Sequence, residues 1–458
     1  MKSHPGLIQP HPALSESISS LMERARLGGL YSTAGHLGTV YGRSGYGLLR
    51  TQAALCSPGF FHCRMSLGLL HERRYFRVLV ILLVLLVLLL GTFLNTEVRF
   101  LVPLFSDQES FHPVTNIMFL KTHKTASSTI MNILYRFTEK QNLTVALPAG
   151  QLFHLGYPWL FLTKYVEGFK SLNGTFNIMC NHLRFNPTEV KKVMPNNTFY
   201  FSILRNPVFQ LESSFMYYKS YAPAFQKPKS LNEFLASPLK YYNEQLAMRN
   251  IYAKNNMWFD FGYDNNREGK DYVRAVIQEI QQQFHLILIS DYFDESMVLL
   301  RNSLHWELDD VVYFKLNSRS ESTIQNLTRE NQEKVREWCA LDWELYQHFN
   351  RTFWRKIREV VGLRKLAKEV ALLRARQQEL MDICIQDGKP KNKTQIKDLN
   401  LRPYQSGDAN ILGYNLKQQL DNETLAMCQR MVMPEIQYMS HLYSQQFPTN
   451  PAKKIRLQ

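Results

Sequence analysis

From residue 114 onward, short apolar runs alternate with stretches whose apolar residues recur every three or four positions. Ile117–Leu120, Phe176–Cys180, Phe199–Leu204, Phe284–Ile289 and Val311–Leu316 are runs of the first kind, and each predicts a buried strand. Ile130, Ile133, Leu134 and Phe137 share one face of a helix directly after the first run. Helical stretches separate most of the strands, which predicts an α/β fold with a parallel sheet covered on both faces. Trp354 to Ile385 reads as one charge-laced helical stretch, most simply a solvated amphipathic helix. No internal repeat interrupts this order.

A different pattern precedes it. Val78 to Leu94 is broken only by Gly91 and Thr92, and with Tyr75 and Phe76 it approaches the length that crosses a bilayer. Arg73, Arg74 and Arg77 stand before it, while Glu97 and Arg99 roughly cancel after it, which keeps the N-terminus cytoplasmic. No small-residue cleavage site follows, so the segment predicts a retained signal-anchor. The expected organisation is a cytoplasmic tail over 1–74, a single transmembrane helix over 75–94 and a stem over 95–113. A lumenal domain over 114–445 and a short C-terminal tail over 446–458 complete it. Asn-x-Thr sequons at Asn142, Asn173, Asn196, Asn326, Asn350, Asn392 and Asn422 all follow the span, where glycosylation is expected. Cys180, Cys339, Cys384 and Cys428 also follow it, an even set that admits three pairings in an oxidising compartment.

The 458 residues carry 54 basic and 39 acidic side chains, a net charge of +15 that points to anionic partners. There is no basic stripe interleaved with aromatics, no zinc-finger spacing and no RNA-binding signature, so nucleic acid is not an expected partner. An apolar content of 45% is that of a globular protein and excludes general disorder.

The candidate chemistry sits at two strand ends. In Asn116-Ile-Met-Phe-Leu-Lys-Thr-His-Lys-Thr-Ala-Ser-Ser-Thr129 a strand runs through a loop of lysines, a histidine and hydroxyls into a helix. Such a turn aims N–H groups, hydroxyls and the positive helix end at one point, suited to a phosphate. It lacks the glycines of a Walker A loop, and hydroxyls that merely cap the helix would also explain Ser127, Ser128 and Thr129. A second turn follows Leu204, with Arg205 at the strand's carboxyl edge, Pro207 opening a helix and Ser213 two turns in. Ligands of open α/β sheets bind beyond the carboxyl ends of strands, so both turns can face one crevice. Taken alone, Arg205 is more often a structural ion-pair residue at a strand end.

Lys124-Thr-Ala-Ser-Ser-Thr129 resembles the 5′-phosphosulfate loop of Golgi carbohydrate sulfotransferases, and Phe119 through Thr129 is similar to the galactose 3-O-sulfotransferase family. Cys180-Asn-His-Leu-Arg-Phe185, Asn256-Met-Trp-Phe-Asp-Phe-Gly-Tyr-Asp264, Tyr292-Phe-Asp-Glu-Ser296, Phe314-Lys-Leu-Asn317 and Pro434-Glu-Ile-Gln-Tyr438 extend the resemblance over most of 114–445. It implies a P-loop NTPase-like sulfotransferase domain held in the Golgi membrane. The implied donor is 3′-phosphoadenosine 5′-phosphosulfate and the implied acceptor the 3-hydroxyl of terminal β-galactose on glycoprotein glycans.

No metal is expected, because lysine and arginine supply the positive charge. A homodimer is a possible assembly. The donor set implied is Lys121, Thr122, Thr125, Ala126, Ser127, Ser128 and Thr129 around the 5′-phosphate, with Arg205 and Ser213 on the 3′-phosphate. Lys124 neutralises the leaving phosphate, as charge spreads in a transfer of this type. A sugar hydroxyl needs a general base: His182 is favoured by its resemblance to the histidine placed there in related glycan sulfotransferases, with His123 second. Asn255, Asn256, Trp258, Asp260 and Lys315 are candidate sugar contacts, and each is equally a core or loop residue. The rival functions are the same chemistry on a galactosyl lipid, another nucleotide-dependent transferase, and a non-catalytic lumenal glycan-binding protein.

Overall fold

In the computed structural model, residues 112–170, 175–453 and 455 are described, together with Leu83, Leu85 and Leu86. Four strands, β1 (Ile117–Leu120), β2 (Ile178–Met179), β3 (Phe199–Leu204) and β4 (Leu286–Ile289), form one parallel sheet in the order β2-β1-β3-β4. The register pairs Ile117 with Phe199 and Leu120 with Ser202 across the two central strands. Every residue of β1 and β4 is buried, as strands covered on both faces require. The chain leaves β1 for β2 on one side and reaches β3 on the other. The carboxyl ends of β1 and β3 therefore flank the point where the winding reverses.

Helix α1 (Ser127–Lys140) follows β1 and buries Ile130, Ile133, Leu134 and Phe137, the face its spacing predicts. Each such side chain contributes about 1.5–3 kcal/mol when taken from water. After β2, helix α2 (Pro187–Val193) leads to β3, and α3 (Pro207–Tyr218) leaves β3 with proline at its first position and Asn206 as cap, accepting from Val208 N–H. The short α4 (Asn256–Asp260) and then α5 (Lys270–Gln283) precede β4. Helices α6 (Phe293–Leu304) and α7 (Ala340–Lys356) pack on β4, and α8 (Leu363–Cys384) packs on α6. Helices α9 (Asn422–Val432) and α10 (Glu435–Gln446) return from the far end of the chain to cover α1.

Three expectations need correction. Val311–Leu316 is not a strand: a helical turn ends at Val311 and the rest is irregular. Its backbone finds partners on α1 instead of a ladder, since Arg136 donates to Val312 O and Leu316 N–H donates to Thr129 Oγ1 at 3.2 Å. The helical stretch from Trp354 to Ile385 is broken in two, by π-type turns over Ile357–Val361 and by Gly362 at φ 79°, a backbone angle that glycine takes without strain. The runs at Phe176–Cys180 and Phe284–Ile289 pair over shorter spans than predicted, because Phe176 and Phe284 bond outside the sheet, to Val193 O and Ile280 O.

Of the four cysteines after residue 114, Cys384 and Cys428 form a disulfide that ties the end of α8 to α9, while Cys180 and Cys339 are free and buried. Closing a loop of that length stabilises by about 4 kcal/mol in the chain-entropy picture. Asn142, Asn196, Asn326, Asn392 and Asn422 are exposed, Asn350 is half-buried within α7, and Asn173 lies outside the described residues. The expected membrane span falls outside them too, except for the helical Leu83, Leu85 and Leu86. No helix among the described residues is long and apolar enough to cross a membrane.

Candidate active site

The loop after β1 turns without glycine by placing Lys124 and Ala126 in the left-handed region, at φ 61° and 64°. Such angles cost non-glycine residues free energy and persist only when the surroundings fix them. Here they do. Thr122 Oγ1 donates to Ile203 O at 2.5 Å, Ser127 Oγ and Thr125 Oγ1 donate back to Thr122 O, and Gln210 Nε2 from α3 holds His123 O at 3.1 Å. No side chain caps α1, so its positive end is left facing the cavity that Ser127 and Ser128 line.

That cavity, about 870 Å³, lies over the carboxyl ends of the strands. Lys121, His123, Lys124, Thr125, Ala126, Ser127, Ser128, Thr129, His182, Arg205, Ser213 and Lys315 all line it. Arg205 not only faces the loop but joins it, its guanidinium donating to Lys124 O at 3.1 Å. The Lys124 ammonium lies 3.7 Å from the centre of the Tyr217 ring. Burial, with Arg319, Arg205 and Lys121 nearby, lowers its pKa to about 7. Arg319, absent from the sequence expectations, enters beside Arg205 and Ser213 and is held in a buried ion pair with Glu212.

Lys121 is buried deep in the site. Its ammonium lies 3.0 Å from Glu435 Oε2 and 2.8 Å from His182 Nε2, and Ser128 Oγ donates to the same Glu435 oxygen at 2.9 Å. The carboxylate of Glu435, brought in by α10, thus sits between the Lys121 ammonium and the Ser128 hydroxyl.

The two histidines stack face to face, ring centres 3.9 Å apart, yet their surroundings differ. His182 Nδ1 lies 3.0 Å from Lys121 O; a carbonyl only accepts, so Nδ1 carries the proton and Nε2 receives the lysine ammonium. Burial, with His123 and Lys121 close by, holds the His182 pKa well below the usual histidine range. His123 Nδ1 lies 2.9 and 3.0 Å from the oxygens of Asp260, whose carboxylate also accepts from His123 N–H and from Tyr157 OH, both at 2.9 Å. This fixes the tautomer that leaves the His123 Nε2 lone pair for a proton.

Asp260 does not line the cavity: it is fully buried, with its carboxylate on His123. Asn256 donates to Tyr157 OH, Asn255 bonds Asn265 and the Asp342 backbone, and Trp258 bonds Tyr272, so these three are also buried structural groups. Asp342 holds the start of α4 by accepting from Met257 and Trp258 N–H, and burial raises its pKa to about 7. Of the five candidate sugar contacts only Lys315 reaches the cavity. Thr122, similarly, braces the loop and does not line the cavity. Among the described residues no cluster of three or more histidine, cysteine or acidic side chains is placed to hold a metal.

A profile described as Galactose-3-O-sulfotransferase matches residues 65–446. Galactose-3-O-sulfotransferase 2 of Mus musculus is 63% identical over 388 residues, covering 84% of this chain and 98% of that protein. The protein of the same name from Homo sapiens is 62% identical, covering 84% and 97%. Galactosylceramide sulfotransferase of Homo sapiens is 41% identical over 75% of this chain and 82% of its own length. With the matching profile spanning most of the chain and relatives of this name 62–63% identical, this chain belongs to the galactose-3-O-sulfotransferase family.

Proposed function

We propose that this protein transfers a sulfuryl group from 3′-phosphoadenosine 5′-phosphosulfate to the 3-hydroxyl of terminal β-galactose on glycoprotein and oligosaccharide chains. The observation that carries this reading is the bond from Arg205 to Lys124 O, which welds the two phosphate-suited turns into the wall of one cavity. The residues present suit the donor's two anionic ends, since a carboxylate already lies in the Lys121–Ser128 cradle. Lys121, Lys124, Ser127, Ser128 and the uncapped helix end would hold the 5′ side, and Arg205, Ser213 and Arg319 the 3′-phosphate. When bound, the donor supplies a sulfuryl group on a phosphate leaving group.

The chain's own part is electrostatic and acid–base. Lys124 stays protonated beside the oxygen that gains charge, while His123 Nε2 takes the proton of the attacking hydroxyl. Asp260 keeps His123 oriented and stabilises its protonated form. His182 has its lone pair engaged by Lys121, so we assign it to orienting that lysine, and His123 to the proton. A Golgi type II arrangement is supported by the apolar stretch over 75–94 and by sequons that all follow it. The test is an acceptor panel with sulfate-labelled donor and the full chain. Label on O3 of a terminal β-galactoside is expected. Donor binding without transfer to any galactoside would overturn the acceptor assignment, and absence of donor binding would overturn the whole reading.

A further inference from the structure

Beyond the phosphate-facing loop the cavity changes character. His154, Tyr157 and Pro158 on one side, and Tyr218, Tyr221 and Tyr252 on the other, line a wall that contains no lysine or arginine. The rings are mutually supported: Tyr218 and Tyr252 stack with centres 3.7 Å apart, and Tyr221 stands edge-on to Tyr252 at 5.7 Å. Both Tyr157 and Tyr252 also touch His123, at 4.5 and 5.3 Å between ring centres, so the wall starts at the assigned base. Tyr221 is 45% exposed, an aromatic face open at the mouth of the cavity.

One polar atom in this wall has no partner on another residue. Among the described residues no other residue bonds His154 Nδ1, which is buried although its ring lines the cavity. A buried polar atom left unpaired costs about 1–3 kcal/mol, so a group at this place is expected to be satisfied by what binds there. Burial and the nearby His123 lower the His154 pKa to about 4, so the ring is neutral near pH 7 and suits a hydroxyl better than an anion. Aromatic faces with a few fixed polar atoms are the build of a site for a neutral ligand, unlike the cationic donor end. A galactopyranose offers the complement: its axial 4-hydroxyl leaves the C3, C4 and C5 hydrogens as one apolar patch on the opposite face.

We propose that the wall formed by Tyr157, Tyr218, Tyr221 and Tyr252 with His154 is the acceptor subsite. It takes a β-galactoside with its C–H face on the tyrosines, its 3-hydroxyl at His123 Nε2 and a flanking hydroxyl, at C2 or C4, on His154 Nδ1. This rests on the reading of the cavity as a sulfotransferase site and adds where the sugar lies and what selects it.

The test is steady-state transfer by the full chain, wild type against His154→Ala, His154→Gln and Tyr221→Ala, with binding of adenosine 3′,5′-bisphosphate measured alongside. His154→Ala and Tyr221→Ala are expected to raise the acceptor KM roughly tenfold, with the bisphosphate Kd within twofold of wild type, which also certifies the fold. His154→Gln keeps a hydrogen-bonding group and is expected to recover most of the loss. In wild type, either the 2-deoxy or the 4-deoxy galactoside is expected to lose affinity, and that loss disappears in His154→Ala. Unchanged acceptor KM in both alanine variants, or equal deoxy effects with and without His154, would overturn the subsite. Absence of transfer by wild type to any galactoside would instead overturn the reading beneath it.

Discussion

The two ends of the cavity are built on opposite principles. The donor end is cationic and tied together by backbone: hydroxyls bond carbonyls within the loop, Arg205 bonds Lys124 O, and two left-handed residues hold the turn. The end proposed for the acceptor is aromatic, held by ring packing, with His154 Nδ1 bonded by no other described residue. On the proposed reading, charge at one end and neutrality at the other separate a nucleotide with two anionic ends from an uncharged sugar before any single contact is counted. Between them lies the histidine pair, and the contrast there is sharper: one imidazole is backed by a carboxylate and the other faces an ammonium.

The largest effect is expected at that junction. His123→Ala should lower kcat by about 10²–10⁴-fold with donor binding intact, and Asp260→Asn should lower it too. His182→Ala should act more through Lys121, seen in the donor KM. Steady-state kinetics with separate donor and acceptor titrations check this; a greater kcat loss in His182→Ala than in His123→Ala would exchange the two roles.

Next in size is the pH dependence of donor binding. The Lys124 ammonium is lowered to about 7 in the free protein, and a bound phosphate favours its charged form. Above pH 7 binding must therefore take up a proton, and the donor Kd should weaken more than about tenfold between pH 7 and pH 9. Lys124→Arg, whose guanidinium keeps its charge, should flatten that slope. Calorimetric titration in buffers of different ionisation enthalpy reads the proton directly, and no uptake by wild type would contradict the placement of Lys124. The smallest effect is expected at Glu435. Its carboxylate competes for the Lys121–Ser128 cradle, so Glu435→Gln should tighten bisphosphate binding a few-fold at low salt. Weaker binding would show that Glu435 holds Lys121 in place for the donor.

The two strand-end turns are legible in the residues because they are local. One strand, one loop and one helix in sequence carry Lys121 through Thr129, and Leu204-Arg205-Asn206-Pro207 carries its own strand end, cap and helix start. The apolar run at Val311–Leu316 misled for the reason that periodicity alone cannot say where a backbone will find its hydrogen bonds. Arg136 and Thr129 on α1 supply them, and the segment is the irregular piece that carries Lys315 to the cavity, with Arg319 three residues beyond it. Asp260 and Asn256 read equally as sugar contacts or core residues in the sequence, and only the structure buries them against His123 and Tyr157.

What the order of residues determined by itself was the parallel α/β framework and the two strand-end turns, because apolar period, proline and hydroxyl placement act within a few residues of one another. What only the tertiary structure decided was everything that depends on chain segments far apart. Glu435 reaches Lys121 across more than 300 positions, Asp260 reaches His123 across 137, and Tyr252 meets Tyr218. Those encounters set which histidine keeps a free lone pair and which wall stays neutral, since protonation and burial answer to neighbours in space and not to neighbours in the chain.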